Sequence, residues 1–166
     1  MAGDFMLRYG KSIEEIIGEL LIRKNLTIST AESCTGGLVA ATLINYPGIS
    51  SVFYEGAVTY SNESKIKRLN VKECTLKKYG AVSFQTAEEM AEGIAKSAGT
   101  DIGVSTTGIA GPGGGTEEKP VGLVYLGFYK NGVVKSKELR LNGDRNTIRK
   151  ETVCKLLEWL MMELSD

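Results

Sequence analysis

Three stretches of the chain concentrate small, hydrogen-bonding or nucleophilic residues. The first is Ala31-Glu32-Ser33-Cys34-Thr35-Gly36-Gly37, where a strand-like run gives way to a helix-like one. Backbone N–H groups at a helix start, helped by the helix dipole, bind phosphate or carboxylate. A helix cap and a tight turn would use the same residues, and spacing leaves the two readings level. The stretch lacks the GxxxxGK[ST] order of a P-loop. Cys34 could act as a nucleophile, since a helix N-terminus lowers a thiol pKa, but with no imidazole to serve as base a packed small residue is the better reading.

The second stretch is Thr106-Thr107-Gly108-Ile109-Ala110-Gly111-Pro112-Gly113-Gly114-Gly115. Gly108, Gly111 and Gly113 do not follow the GxGxxG order and no helix-like run follows them, which disfavours a dinucleotide fold. Main-chain donors in such a loop can still wrap a ligand. The third runs from Gly48-Ile49-Ser50-Ser51 to Thr59-Tyr60-Ser61-Asn62-Glu63-Ser64-Lys65. A serine without a histidine can be activated by a desolvated lysine, or by a tyrosine whose phenolate that lysine stabilises. On spacing alone the simpler reading prevails: Ser50 in a polar turn, Tyr60 at a strand end, Lys65 on a solvated helix face.

These stretches must be positioned by regular elements. Ile13, Ile16, Ile17, Leu20 and Leu21 follow Ser12 at helical spacing, which predicts an amphipathic helix of about three turns with Ser12 as its cap. Leu26 to Ala31 reads as a strand, followed by a helix that ends near Tyr46 because Pro47-Gly48 cannot continue it. Val52 to Tyr60 reads as a second strand, and Ser61 or Asn62 can cap a short helix through Lys67. Thr86 and Glu89 form a capping-box pattern ahead of Met90 and Ile94, on a helix that Gly99 stops. Asp101 to Thr106 is a further strand. Val121 to Tyr129 is apolar or glycine on both alternating faces, the pattern of an interior strand covered on two sides. Asn131-Gly132 signals a type I′ hairpin into a Lys-containing edge strand, Val133 to Leu141. Val153, Leu156, Leu157, Leu160, Met161 and Leu164 give the last helix a continuous apolar stripe. The expected fold is α/β, a three-layer α/β/α sandwich with a mixed sheet including one antiparallel hairpin, formed by residues 1–166 as one domain.

Composition narrows the chemistry. The chain has 166 residues and no histidine, which removes the Ser-His-Asp triad, the Cys-His dyad and imidazole-bound zinc. Cys34, Cys74 and Cys154 are odd in number and widely spaced, fitting neither a disulfide framework nor a CxxC pair, and no metal or cofactor is expected. Lysines plus arginines number 20 and acidic residues 20, so nothing favours a nucleic-acid partner. No apolar run has signal-peptide or membrane-span length, and a cytoplasmic protein without membrane partners is expected. Twenty glycines make up about 12% of the chain against a typical ~7%.

Taken in order, TAESCTGG, YSNESK, GAVS, TGIAGPGGG, EKPVG and NGDR closely resemble the C-terminal domain of the CinA (competence and damage-inducible) family over nearly the whole chain. The resemblance implies an amidohydrolase of pyridine-nucleotide salvage that converts nicotinamide mononucleotide to nicotinic acid mononucleotide and ammonia. It implies a catalytic group of Ser50, Tyr60 and Lys65, with Arg145 of the GDR segment as a substrate contact and Arg149 one helical turn away. Ile49 is bulkier than the residue relatives often carry beside that serine. The nucleotide substrate's phosphate is expected at Ser33, Thr35, Gly36 and Gly37, or at the loop carrying Thr107, Gly108, Gly111 and Gly113. A nucleotide-binding regulatory module without turnover is the alternative, and the domain could self-associate through its helices.

Overall fold

The computed structural model describes residues 10–165; the expectation of a leaderless N-terminus falls on residues 1–9, outside the described part. Helix α1 (Ile13–Lys24) opens with the full capping box: the Ser12 hydroxyl accepts from the Glu15 N–H, and the Glu15 carboxylate accepts from the Ser12 N–H. Strand β1 (Ile28–Glu32) leads through the Ser33 to Gly37 turn into helix α2 (Leu38–Leu43). A 3₁₀ turn (Ile49–Ser51) precedes strand β2 (Phe53–Val58). Helices α3 (Asn62–Leu69), α4 (Glu73–Tyr79) and α5 (Phe84–Ala98) follow in succession. Strands β3 (Ile102–Gly108), β4 (Leu123–Lys130) and β5 (Val133–Arg140) come next, and helix α6 (Arg145–Ser165) closes the chain.

The five strands lie in the order β2-β1-β3-β4-β5. β1 is parallel to both β2 and β3, whereas β3–β4 and β4–β5 are antiparallel. This is the mixed sheet read from the sequence, hairpin included: Asn131 and Gly132 both take positive φ, as a type I′ turn requires. β4 lies inside the sheet and sends Val124, Leu126 and Phe128 into the core beneath α1 and α6, and Leu123 and Tyr125 towards α5 on the other face. Burial on both faces explains why it has no polar alternation. The edge strand β5 is protected by charge, with Lys135 paired to Glu163 and Lys137 over the Trp159 ring.

Helices α1, α2 and α6 cover one face, where the α6 stripe (Ile148, Val153, Leu156, Leu157, Leu160, Leu164) is buried. Helix α5, with α3 and α4 against it, covers the other through Met90 and Ile94, which meet Leu69, Val71 and Leu76. Close approach of α5 to the sheet depends on Gly103, where any Cβ would collide with the Ala91 carbonyl of the helix.

Two local expectations are corrected. α5 begins at Phe84, capped by the Ser83 hydroxyl accepting from the Thr86 N–H. Thr86 already sits inside the first turn, its hydroxyl donating to the Gly80 carbonyl, so Glu89 is free to accept from the Lys72 N–H and the Thr75 hydroxyl of α4. Helix α4 was not anticipated, because its seven residues are too few to display a periodic apolar stripe. Among the described residues no helix is long and apolar enough to cross a membrane.

Candidate active site

The parallel strands β2, β1 and β3 point their carboxyl ends to the same edge of the sheet. From β1 the chain crosses to β2 on one side and then to β3 on the other, so the connections diverge at the β1 and β3 ends. In open α/β sheets such a switch point leaves a crevice for ligands. The residues that follow these strands, Ser33 after β1, Thr59 and Tyr60 after β2, and the Gly108 to Gly115 loop after β3, all collect there. The Ser33 N–H donates to the Thr106 carbonyl at 3.0 Å, and the Thr59 N–H to the Glu32 carbonyl at 2.9 Å, which fixes the three strand ends relative to one another.

Lys65 enters this crevice from α3. Ser61 caps that helix by accepting from the Ser64 N–H, and this sets the phase that turns Lys65 inward. Its side chain is only 1% exposed. Its ammonium donates to the Ser33 Oγ at 3.1 Å, the Thr59 carbonyl at 2.8 Å and the Tyr60 carbonyl at 3.3 Å. Among the described residues no carboxylate forms an ion pair with it. Burial without a counter-ion disfavours the charged form and lowers its pKa to about 8. Neutral Lys65 has two N–H donors, which the two carbonyls take, and one lone pair. The remaining neighbour is the Ser33 hydroxyl, so deprotonation converts the lysine into an acceptor for the serine proton.

The structure therefore brings Lys65 to Ser33 and not to Ser50. Ser50 is exposed in the 3₁₀ turn ahead of β2, at the amino end of the strand. Lys65 works at the carboxyl end, and six residues of strand put roughly 20 Å between them. The physical reason is the reversal at Pro47-Gly48, which returns the chain at the wrong edge of the sheet. Cys34, next to Ser33, is buried, and that burial pushes its thiol up to about 11; it is a protonated packing residue, not a thiolate nucleophile.

Expected phosphate ligands also find other partners. Glu32, itself buried, fills the start of α2: its carboxylate accepts from the N–H groups of Gly37 at 2.9 Å, Val39 at 3.0 Å and Ala40 at 2.9 Å, and from the Thr35 hydroxyl at 2.6 Å. The donors that would receive an anion are satisfied from within the chain. Thr35 is fully buried against Thr106 as well, and the Gly36 N–H returns to the Ser33 carbonyl. The Thr107 hydroxyl donates to the Ala81 carbonyl at 2.7 Å. Gly108 is paired with Val124 in the sheet, and Gly113 lies exposed in the loop.

Tyr60 is 62% exposed. Only its main-chain carbonyl reaches Lys65; its hydroxyl accepts from the Arg145 guanidinium at 3.1 Å. Arg145 also donates to the Gly111 carbonyl at 2.8 Å, so it spans the crevice mouth from the β2–α3 connection to the glycine loop. One turn on, Arg149 donates to the Thr35 carbonyl at 2.8 Å. On the far side Lys119 ties the loop down by donating to the Tyr79 and Val82 carbonyls. Among the described residues there is no cluster of carboxylate and thiol side chains able to hold a metal ion.

Comparison with known proteins points to one family. The model of the CinA C-terminal domain matches residues 10–164. A competence-damage inducible protein of Clostridium novyi is 66% identical over 153 residues, which are 92% of this chain and 37% of that protein. One of Clostridium acetobutylicum is 63% identical over 153 residues, with the same two coverages of 92% and 37%. The chain thus spans less than two fifths of the length of these curated relatives. Among solved structures, the competence/damage inducible protein CihA of Agrobacterium tumefaciens superposes with a TM-score of 0.86 at 43% identity, covering 94% of this chain and 98% of that one. A CinA superfamily protein of Klebsiella pneumoniae gives a TM-score of 0.89 at 33% identity, covering 92% and 96%.

Proposed function

Because the chain belongs to the CinA C-terminal domain family, whose motifs run through its crevice, we propose that it is an amidohydrolase with Ser33 as nucleophile and Lys65 as general base. The proposed reaction converts nicotinamide mononucleotide to nicotinic acid mononucleotide and ammonia. The observation that carries the reading is the 3.1 Å approach of Ser33 Oγ to a buried lysine without a counter-ion.

Neutral Lys65 takes the Ser33 proton as Oγ attacks the carboxamide carbon. Among the described residues the Thr35 N–H donates to no protein acceptor and the Cys34 N–H to none but its own sulfur, and as the donors directly after the nucleophile they would receive the oxyanion. One such donor is typically worth ~3 to 4 kcal/mol in the transition state. The Lys65 ammonium then gives its proton to the departing nitrogen, ammonia leaves, and an acyl-serine remains. Water attacks that ester with Lys65 again as base, releasing the acid and restoring Ser33. With the start of α2 closed by Glu32, the cationic donors left for a phosphate are the guanidiniums at the mouth, Arg145 foremost.

Ammonia release from nicotinamide mononucleotide by the purified protein tests this directly. Wild type should turn over, and Ser33→Ala and Lys65→Met should not. Wild type that binds the nucleotide and releases nothing would instead establish a binding module.

A further inference from the structure

Arg149 holds the peptide group two residues beyond the Ser33 side chain. Its guanidinium donates to the Thr35 carbonyl at 2.8 Å. The same peptide unit carries the Gly36 N–H, which donates back to the Ser33 carbonyl at 3.1 Å. The peptide unit of that Ser33 carbonyl in turn carries the Cys34 N–H. Peptide units are rigid planes, so fixing the Thr35 carbonyl orients the Gly36 N–H, and through it the plane that aims the Cys34 N–H. The contact is also built for close approach: Gly36 has φ +62°, and a Cβ there would lie 3.3 Å from the Arg149 Nη2. A side chain at this position would be strained and would press on the guanidinium.

We propose that Arg149 is a positioning residue for the reaction, acting through the Thr35 carbonyl to hold the Ser33 turn with its N–H groups facing the oxyanion. This rests on Ser33 being the nucleophile. Arg149 sits on α6, 114 residues from Thr35 in the chain, and its neighbour Arg145 stitches the other two loops of the crevice. The first turns of α6 thus set the relative positions of all three.

The two ideas are separated by labelling Ser33 with a small fluorophosphonate, a probe independent of the nucleotide. The Ser33 Oγ–P bond forms as the P–F bond breaks, the hydroxyl proton passes to Lys65 and fluoride leaves, while the phosphoryl oxygen takes the oxyanion position. In Arg149→Ala, labelling and kcat should both fall about 100-fold, the scale of losing one oxyanion donor, with KM within about 3-fold. Added guanidinium should recover part of the lost rate by refilling the gap. Arg149→Lys, which keeps a donor and the charge, should fall less than Arg149→Ala. Labelling of Arg149→Ala at the wild-type rate would overturn the positioning role alone, as would a raised KM with unchanged kcat, which would make Arg149 a substrate contact. Failure of wild type to label at Ser33 would remove the nucleophile and this proposal together.

Discussion

Ser33 Oγ and Lys65 Nζ stand 3.1 Å apart although 32 residues separate them in the chain. The contact exists because β1 and β2 are parallel neighbours, so that the residue after one strand faces the helix after the other. Ser33→Ala should lower turnover by about a thousandfold or more, as expected of a nucleophile, while leaving the fold intact. Ser50→Ala, at the other edge of the sheet, should keep wild-type kcat and KM. Steady-state ammonia release from both variants decides between the two serines.

The lowered pKa of Lys65 gives the reaction a pH dependence of definite sign. In the proposed reaction the active form is neutral lysine, so kcat/KM should rise with pH and level off above about 8. At pH 7 only about a tenth of the molecules would carry the neutral amine. Stability follows the same group. Its proton is held less tightly in the folded chain than at the ordinary 10.5 of an exposed lysine, so between about 8 and 10.5 the unfolded state binds more protons. The contribution of Lys65 to stability is therefore least below about 8 and improves as pH rises through that window. A pH–rate profile with its plateau at acid pH would contradict a lysine base.

How much of this was legible in the sequence depends on the range of the interaction. The helix caps at Ser12 and Ser61, the Asn131-Gly132 hairpin and the two-sided burial of β4 are local patterns, and each stands in the structure as read. The crevice is not local. The family resemblance groups Tyr60 and Lys65 with Ser50, yet strand order decides which serine shares their edge. A usable signal was present: Ser33 directly follows a strand, and ligand crevices lie beyond strand carboxyl ends. Glu32 gave no such signal. Its role as an internal acceptor in the turn it precedes depends on its side chain meeting donors three to eight residues further along the chain.

Glu32→Ala should be among the most destabilising single substitutions. It strips the buried Val39 N–H, the half-buried Gly37 and Ala40 N–H groups and the buried Thr35 hydroxyl of their acceptor. Leaving such donors unpaired costs about 1–3 kcal/mol each where water cannot replace the acceptor, so a loss of about 3–5 kcal/mol is expected. Glu32→Gln keeps one acceptor oxygen and should lose less. Urea unfolding of both variants gives the comparison.

A different kind of constraint operates at Gly103, on the central strand beneath α5. Replacement by alanine drives a methyl group into the Ala91 carbonyl and the Ala95 side chain. The helix must lift from the sheet or the strand must shift, and overpacking of this sort typically costs about 1–3 kcal/mol. Gly103→Ala should lower the thermal midpoint clearly. Gly99→Ala, which meets no neighbour but has a positive φ at the end of α5, should cost about 1–2 kcal/mol through backbone strain alone.

Tyr60→Phe separates a rim role from a chemical one. The phenol lies against Arg145, away from the Ser33–Lys65 contact, while the Tyr60 carbonyl that Lys65 uses belongs to the main chain and survives the substitution. Losing one hydrogen bond to a charged group is worth about 1.5–3 kcal/mol at most when buried, and less at a side chain as exposed as this one. Tyr60→Phe should therefore raise KM by less than about tenfold through a looser Arg145 and leave the Lys65 limb of the pH profile in place. A collapse of kcat to the level of Ser33→Ala, with that limb abolished, would return the phenol to the proton-transfer group.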